Sequence, residues 1–167
     1  MPKIIENLRE RLLTEARKQV EENGYAATTV RSVAQACGIG VGTVYNYFPS
    51  KDALLAAYML EDWQDCLAAI HAAASVSDSP EPVFRCIHEQ LHSYSLRHRT
   101  LFHDEAARDI FSGSFSPYHS LLRAQLAKPL ERYCDAFTAE FTAEAILTWT
   151  TAGKPFGEIN RLIQKLF

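Results

Sequence analysis

The chain has 167 residues, of which 47% are hydrophobic and 22% are charged, and its formal net charge is −3. These values are typical of a globular protein and argue against wholesale disorder. No apolar run approaches the roughly 20 residues that span a bilayer, and the charges at Lys3 and Glu6 come too early for a signal peptide. We therefore expect a cytoplasmic protein without a membrane segment.

The four cysteines, Cys37, Cys66, Cys86 and Cys134, are scattered along the chain and form no Cys-x-x-Cys pair. In a cytoplasmic chain we expect free thiols, since cysteine often behaves there as a small apolar side chain. A redox-sensing thiol is the less favoured alternative.

Two histidines have a spacing that can serve a metal. His88 and His92 lie four residues apart on a predicted helix, so that both imidazoles can reach one ion. Cys86 is nearby, but no compact set of four ligands accompanies them. We therefore predict no metal and no cofactor, and place these histidines on the surface or beside a pocket.

The first predicted helix covers residues 4–22. Apolar side chains recur there at spacings of three and four, at Ile5, Leu8, Leu12, Ala16 and Val20. Asn23-Gly24 is predicted to end this helix, because glycine readily adopts left-handed backbone after a last turn.

Two short helices are predicted next. The first covers Val30–Cys37, with Thr28-Thr29 as its N-cap. The tight turn Gly38-Ile39-Gly40 leads to the second, at about Val41–Tyr47. This helix ends at Phe48-Pro49, because the residue before a proline avoids helical backbone.

Helical periodicity then continues to the last residue, and almost no segment alternates as a strand would. The predicted helices cover Asp52–His71, Val83–Arg97, Thr100–Phe111, Tyr118–Phe137, Thr142–Ala152 and Phe156–Phe167, the first of them capped by Ser50. Breaks are predicted at 75–82, 112–117 and 153–155. The predicted fold class is all-α, with about nine helices.

The two short helices and their glycine turn have the geometry of a helix-turn-helix, whose second helix enters the major groove of DNA. We expect its buried side to consist of Val33, Ala34, Ile39, Val44 and Phe48. The other face of the second helix carries Val41, Gly42, Thr43, Tyr45, Asn46 and Tyr47. Hydroxyls suit phosphates, asparagine suits an adenine edge, methyl groups suit thymine, and a glycine allows close backbone approach.

This stretch resembles the TetR family of transcriptional regulators in the order and spacing of its residues. The matching residues are Gly24-Tyr25, Thr28-Thr29-Val30-Arg31, Val33-Ala34, Gly38-Ile39-Gly40, Gly42-Thr43-Val44-Tyr45-Asn46-Tyr47-Phe48 and Ser50-Lys51-Asp52. The resemblance implies a helix-turn-helix domain at 1–50 and a helical effector-binding and dimerisation domain at 51–167. It also implies that the helix starting at Lys51 links the two.

The resemblance further implies roles for individual residues. Bases would be contacted, directly or nearly, by Arg31, Thr43, Tyr45 and Asn46, and phosphates by Thr29, Tyr47 and Lys51, with Gly42 on the same surface. A phosphate beside Lys51 would also compensate a cation in the first turn of a helix, which the helix dipole disfavours. Arg31 as a solvated surface charge and Thr29 as a helix cap remain open alternatives.

Two features depart from the family. Gly40 stands where the family often has serine before the recognition helix, so no side-chain hydroxyl is available there for a phosphate. The chain is also short. Its last two helices nevertheless resemble those that pair across a dimer axis in the family, with apolar side chains at Leu147, Trp149, Phe156, Ile159, Leu162, Ile163 and Leu166.

The predicted function is a homodimeric, sequence-specific regulator. It would bind a palindromic double-stranded operator with two recognition helices about 34–36 Å apart, and a small-molecule effector would release it. The resemblance implies a repressor, and an activator stays an open alternative. The alternative is a helical small-molecule-binding or adaptor protein without DNA function. An enzyme is not predicted, since residues 112–116 lack the spacing of a nucleophile elbow and no phosphate-binding glycine loop is present.

Overall fold

The structure, a computed structural model, describes residues 7–107, 115–165 and 167. Over these residues the protein is all-α, as predicted, and contains no strand. Nine α-helices have both ends within the described ranges: α1 Leu8–Ala27, α2 Val30–Ala36, α3 Val41–Tyr45, α4 Lys51–Val76, α5 Glu81–Arg97, α6 Arg99–His103, α7 Phe115–Ala127, α8 Ala136–Thr151 and α9 Phe156–Ile163. A 3₁₀ helix at Lys128–Arg132 lies between α7 and α8.

The helices belong to two compact units. As far as they are described, one contains Met1–Glu61 and His98–Phe111, and the other contains Asp62–Arg97 and Ser112–Phe167. Helix α4 contributes residues to both. The predicted boundary between residues 50 and 51 follows the end of the predicted helix-turn-helix rather than these units, and it stays a prediction.

The core of the first unit forms where the apolar stripe of α1 meets the two short helices. Leu12, Ala16, Val33 and Val44 are completely buried, and Phe48 is nearly so. Ala34 is buried too, while Ile39 is half-buried and packs against this core. The five side chains predicted for the buried side of the helix-turn-helix therefore all belong to it.

The core of the second unit contains much of the apolar surface of the last two helices. Leu147, Ile159 and Ile163 are buried in it, alongside Phe84 and Ile87 of α5. Large apolar side chains of α8 and α9 that stay exposed are Phe137, Phe141 and Leu162.

The backbone turns sharply at the predicted end of the first helix. Gly24 has φ +83° and ψ 170°, and α1 continues past this kink only to Ala27. Thr28, which is fully buried, donates its hydroxyl proton to the Gly24 carbonyl at 2.8 Å. The stop signal was therefore correctly placed, with one irregular turn between it and α2.

The predicted helix over Tyr118–Phe137 is wrong. Helix α7 ends at Ala127, and the 3₁₀ helix that follows has Pro129 at its second position. Proline cannot donate the backbone hydrogen bond that a continuing α-helix needs. Asp135 then caps α8 by accepting a hydrogen bond from the Thr138 N–H at 3.0 Å, and this bond lowers the pKa of its carboxyl.

Other predicted boundaries were shifted. Helix α4 continues through residues 75 and 76 of the predicted linker. Residues 115–117 belong to α7 although a break was predicted there, and residues 112–114 of that break lie outside the described residues, as do residues 108–111 of the predicted helix at 100–111. Pro117 is compatible with this helix because it occupies the first turn.

The cysteines are free, as predicted, and desolvation raises the pKa of all four thiols. His88 lies 3.1 Å from the Lys154 carbonyl through Nε2, and its ring stacks 6.4 Å from that of His92. In the described part of the chain, no three His, Cys, Asp or Glu side chains group as metal ligands would. Nor is any described helix long and apolar enough to cross a membrane.

Candidate nucleic-acid interface

The N-terminus of α2 is fixed by a reciprocal pair of hydrogen bonds. Thr29, the N-cap, accepts at Oγ1 from the Ser32 N–H at 3.0 Å, and Ser32 Oγ accepts from the Thr29 N–H at 3.0 Å. Ser32 Oγ also lies 2.5 Å from Gln19 Oε1 and so connects the cap to α1. The predicted cap at Thr29 is confirmed, and Ser32, three residues later, is a positioning residue that the sequence analysis missed despite its capping-box spacing.

The C-terminus of α2 is held from the same helix. Arg11 of α1 donates from Nη2 to the carbonyl of Cys37 at 3.1 Å. A cation is favoured there because the last carbonyls of a helix carry partial negative charge. Helix α1 therefore contacts both ends of α2.

The glycine turn between α2 and α3 has the predicted conformation. Gly38 has φ +70°, and the N–H of Ile39 bonds back to the Ala34 carbonyl at 3.0 Å. Gly40 then acts as the N-cap of α3 without a side-chain hydrogen bond. The departure from the family at Gly40 thus leaves α3 uncapped by any side chain.

Helix α3 separates a buried anchor from an exposed polar face. Val44 is completely buried and Phe48 is 5% exposed, whereas Tyr45 and Tyr47 are 52% and 47% exposed. Gly42 and Asn46 are also exposed, and Thr43 is half-buried. Among the residues that the structure describes, the side chains of Thr43, Tyr45, Asn46 and Tyr47 make no hydrogen bond.

Arg31 is likewise an exposed side chain that the described fold does not bind. It lies in the first turn of α2, is exposed, and has no ion-pair partner among the described residues. Its guanidinium is therefore available for either a base edge or a phosphate.

Lys51 is placed differently from the rest of the predicted set. Its ammonium donates to the Tyr25 carbonyl at 3.0 Å and lies 3.5 Å from the centre of the Tyr25 ring. The Tyr25 hydroxyl donates to Asp52 Oδ1 at 2.7 Å. Burial and this bond to a carboxylate raise the pKa of Tyr25 to about 12. The first-turn cation thus has protein partners of its own, and its phosphate contact stays a prediction.

Comparison with known proteins finds its sequence matches in the N-terminal part of the chain. Residues 12–58 match the family model of bacterial regulatory proteins of the tetR family. The regulator UidR of Escherichia coli K12 is 38% identical over 60 residues, which are 36% of this chain and 31% of UidR. The regulator BetI of Burkholderia thailandensis is 38% identical over 91 residues, which are 52% of this chain and 46% of BetI. The match thus spans less than half the length of either relative.

Solved structures share the fold over most of the chain at low identity. The transcriptional regulator SCO7518 of Streptomyces coelicolor aligns with a TM-score of 0.65 and 19% identity, over 86% of this chain and 84% of that one. A TetR/AcrR regulator of Thermobifida fusca aligns with a TM-score of 0.58 and 21% identity, over 95% and 94%. The multidrug binding protein EbrR, solved with imidazole, aligns with a TM-score of 0.63 and 16% identity, over 95% and 89%. At these identities the likeness concerns the fold.

The helix-turn-helix with its exposed α3 defines a DNA-binding domain at the N-terminus. Residues 12–58, which contain this domain, are similar to the bacterial regulatory proteins of the tetR family.

Proposed function

We propose that this protein is a sequence-specific DNA-binding regulator, a repressor that a small-molecule effector releases from a palindromic operator. The observation that carries the proposal is the exposed face of α3, whose polar side chains have no hydrogen-bond partner in the described part of the chain. Side chains used by the fold are bonded within it, as Thr29 and Ser32 are. An unused polar face above a buried anchor is what insertion into a groove requires.

On this surface, base contacts are proposed for Arg31, Thr43, Tyr45 and Asn46, and phosphate contacts for Thr29, Tyr47 and Lys51. Gly42 would let the backbone approach the bases. Thr29 keeps both of its proposed roles, since a capping hydroxyl can still face a phosphate.

A homodimer through the last two helices is part of the proposal, because a palindromic site needs two readers. Its support is the apolar surface that α8 and α9 leave exposed. Phe137 and Phe141 are 80% and 55% exposed, and Leu162 is 57% exposed. Leu162 and Trp149 also line an open groove beside α9. Burial against a second copy would remove this surface from water.

Effector binding is proposed for the second unit. Its interior combines aromatic and polar side chains, as small-molecule sites do. Trp63 Nε1 donates to Gln125 Oε1 at 2.8 Å, and the Trp63 ring packs edge-on against Tyr94 at 5.7 Å. Asp62, which is buried, lies 3.7 Å from the Arg97 guanidinium. An effector would release DNA only if it bound the two arrangements of the dimer with unequal affinity.

The alternative is a helical small-molecule-binding or adaptor protein without DNA function. The relatives named above are regulators, which favours a non-enzymatic role, and a DNA partner implies a cytoplasmic location. An enzyme would instead show a turnover that survives changes to α3.

The deciding experiment is selection of bound duplexes from a random library by the full chain, at a stated moderate salt concentration. A palindromic consensus is expected. The variant Tyr47→Ala combined with Arg31→Ala should lose retention and stay folded, since neither side chain makes a hydrogen bond or ion pair in the described structure. Lys154→Ala, which removes an exposed charge from the second unit, is the control. A folded dimer that enriches no sequence would favour the adaptor.

A further inference from the structure

The exposed face of α3 also carries information about which base it selects. We infer that Asn46 reads an adenine in each half-site of the operator, so that one A·T pair per half-site is fixed by this side chain. The inference rests on the proposed DNA-binding function and names the base that the same surface recognises.

The first step is an inventory of the recognition segment. Between Gly40 and Pro49 there is no Lys, Arg, His, Asp, Glu or Gln, and Asn46 is the one carboxamide. In the major groove, guanine is most often read by a guanidinium or ammonium, whereas Asn or Gln pairs with N6 and N7 of adenine through one acceptor and one donor. Within the segment from Gly40 to Pro49, only Asn46, the C-cap of α3, can make such a two-bond contact.

The second step is the direction in which Asn46 faces. The buried anchors Val44 and Phe48 lie two residues before and after it, and the Phe48 N–H bonds to the Val44 carbonyl at 2.9 Å as in a helix. At 3.6 residues per turn, position 46 is about 160° away from both anchors. The side chain therefore lies on the face opposite the core.

The third step is that the Asn46 side chain has no hydrogen bond within the described part of the protein. The backbone of Asn46 has helical dihedrals, φ −69° and ψ −23°, and its N–H already bonds to the Gly42 carbonyl at 3.3 Å. The side-chain amide makes no hydrogen bond to the described residues. Binding a base therefore breaks no internal bond of the protein.

The fourth step is the space beside it. Gly42 precedes Asn46 by four residues, and a helical side chain leans over the residue one turn before it. A Cβ atom built at Gly42 would meet nothing within 4 Å. The missing side chain thus leaves open the volume that a base edge would occupy next to the Asn46 amide.

The test compares the intact protein and Asn46→Ala in the duplex selection. The intact protein should select an A·T pair at one position of each half-site, and Asn46→Ala should lose preference at that position alone. One good bidentate contact corresponds to about 5- to 150-fold in affinity. Because the dimer loses one such contact in each half-site, affinity for the best site should fall about 25- to 20,000-fold. Gln64→Ala, which removes an exposed amide from the second unit, should leave the consensus unchanged.

A change in the DNA makes the test independent of folding. Replacing the selected adenine by 7-deazaadenine removes the N7 acceptor, and it should weaken the intact protein about 2- to 10-fold while leaving Asn46→Ala unaffected. Equal losses in both proteins, or a G·C pair at the position that depends on Asn46, would overturn the inference. If the intact protein enriches no sequence, the proposed function itself fails, which is a different result.

Discussion

The ammonium of Lys51 lies 3.5 Å from the centre of the Tyr25 ring and bonds to the Tyr25 carbonyl at 3.0 Å. The first residue of α4 is thereby tied to the backbone just after the kink in α1. Any change at Lys51 therefore acts on the fold as well as on the proposed phosphate contact.

Lys51→Met separates these two effects. It keeps an apolar stem but removes the charge, so we expect unfolding free energy to fall by about 1–2 kcal/mol from the lost cation–π contact and hydrogen bond. Urea denaturation measures this loss. If Lys51 also contacts a phosphate in each subunit of the dimer, the salt dependence of DNA binding should weaken by about two units of slope, measured where the variant is fully folded. Lys154→Met should change neither quantity.

Tyr25→Phe removes the bond to Asp52 and keeps the ring beneath Lys51. We expect it to lower the free energy of unfolding by about 1–2 kcal/mol at neutral pH, since the acceptor is charged. The pKa of Tyr25 is raised from 10.0 to about 12 in the folded protein. The stability it contributes is therefore fully present below pH 10 and is lost as the pH rises through 12. Urea midpoints of the two proteins should converge over this interval, and a constant difference would refute the assignment.

Two glycines of the helix-turn-helix should respond oppositely to alanine. Gly42 has ordinary helical backbone with open space around it, so Gly42→Ala should raise stability by up to about 1 kcal/mol while weakening DNA binding. Gly38 has φ +70°, so Gly38→Ala should cost about 1 kcal/mol or more. Thermal unfolding and duplex retention test both. Unchanged DNA binding by Gly42→Ala would mean that no base approaches there.

The exposed phenylalanines of α8 give a direct test of the dimer. Phe141→Asp places a charge on a surface that a partner would bury, so we expect a monomer and weaker binding to a palindromic duplex. Leu96→Asp is the matched control, since Leu96 on α5 is 54% exposed and Phe141 is 55% exposed. Light scattering after gel filtration gives the mass. A dimer that survives Phe141→Asp uses another surface.

The helix-turn-helix was predictable because local rules determine it. Glycines at positions 38 and 40, a threonine cap and a period of apolar residues suffice to locate α2, α3 and the buried Val44 and Phe48. The prediction of one helix over 118–137 was wrong because the apolar periodicity continues past Pro129, whereas proline lacks the backbone N–H that a continuing α-helix needs. The Lys51 contact with Tyr25 was not predictable, because it joins residues 26 positions apart through a kink whose direction no local pattern sets.

The hydrogen bonds at the two ends of α2 separate the residues that position this helix from those that face outward on the neighbouring α3. Gln19 and Arg11 of α1 fix the two ends of α2, while the side chains at 43, 45, 46 and 47 make no hydrogen bond within the described fold. These four positions can therefore change without breaking a hydrogen bond of the described domain. The domain is thus suited to acquiring new operators by substitution on α3, and a graft of its specificity onto another scaffold must carry the two α1 residues along.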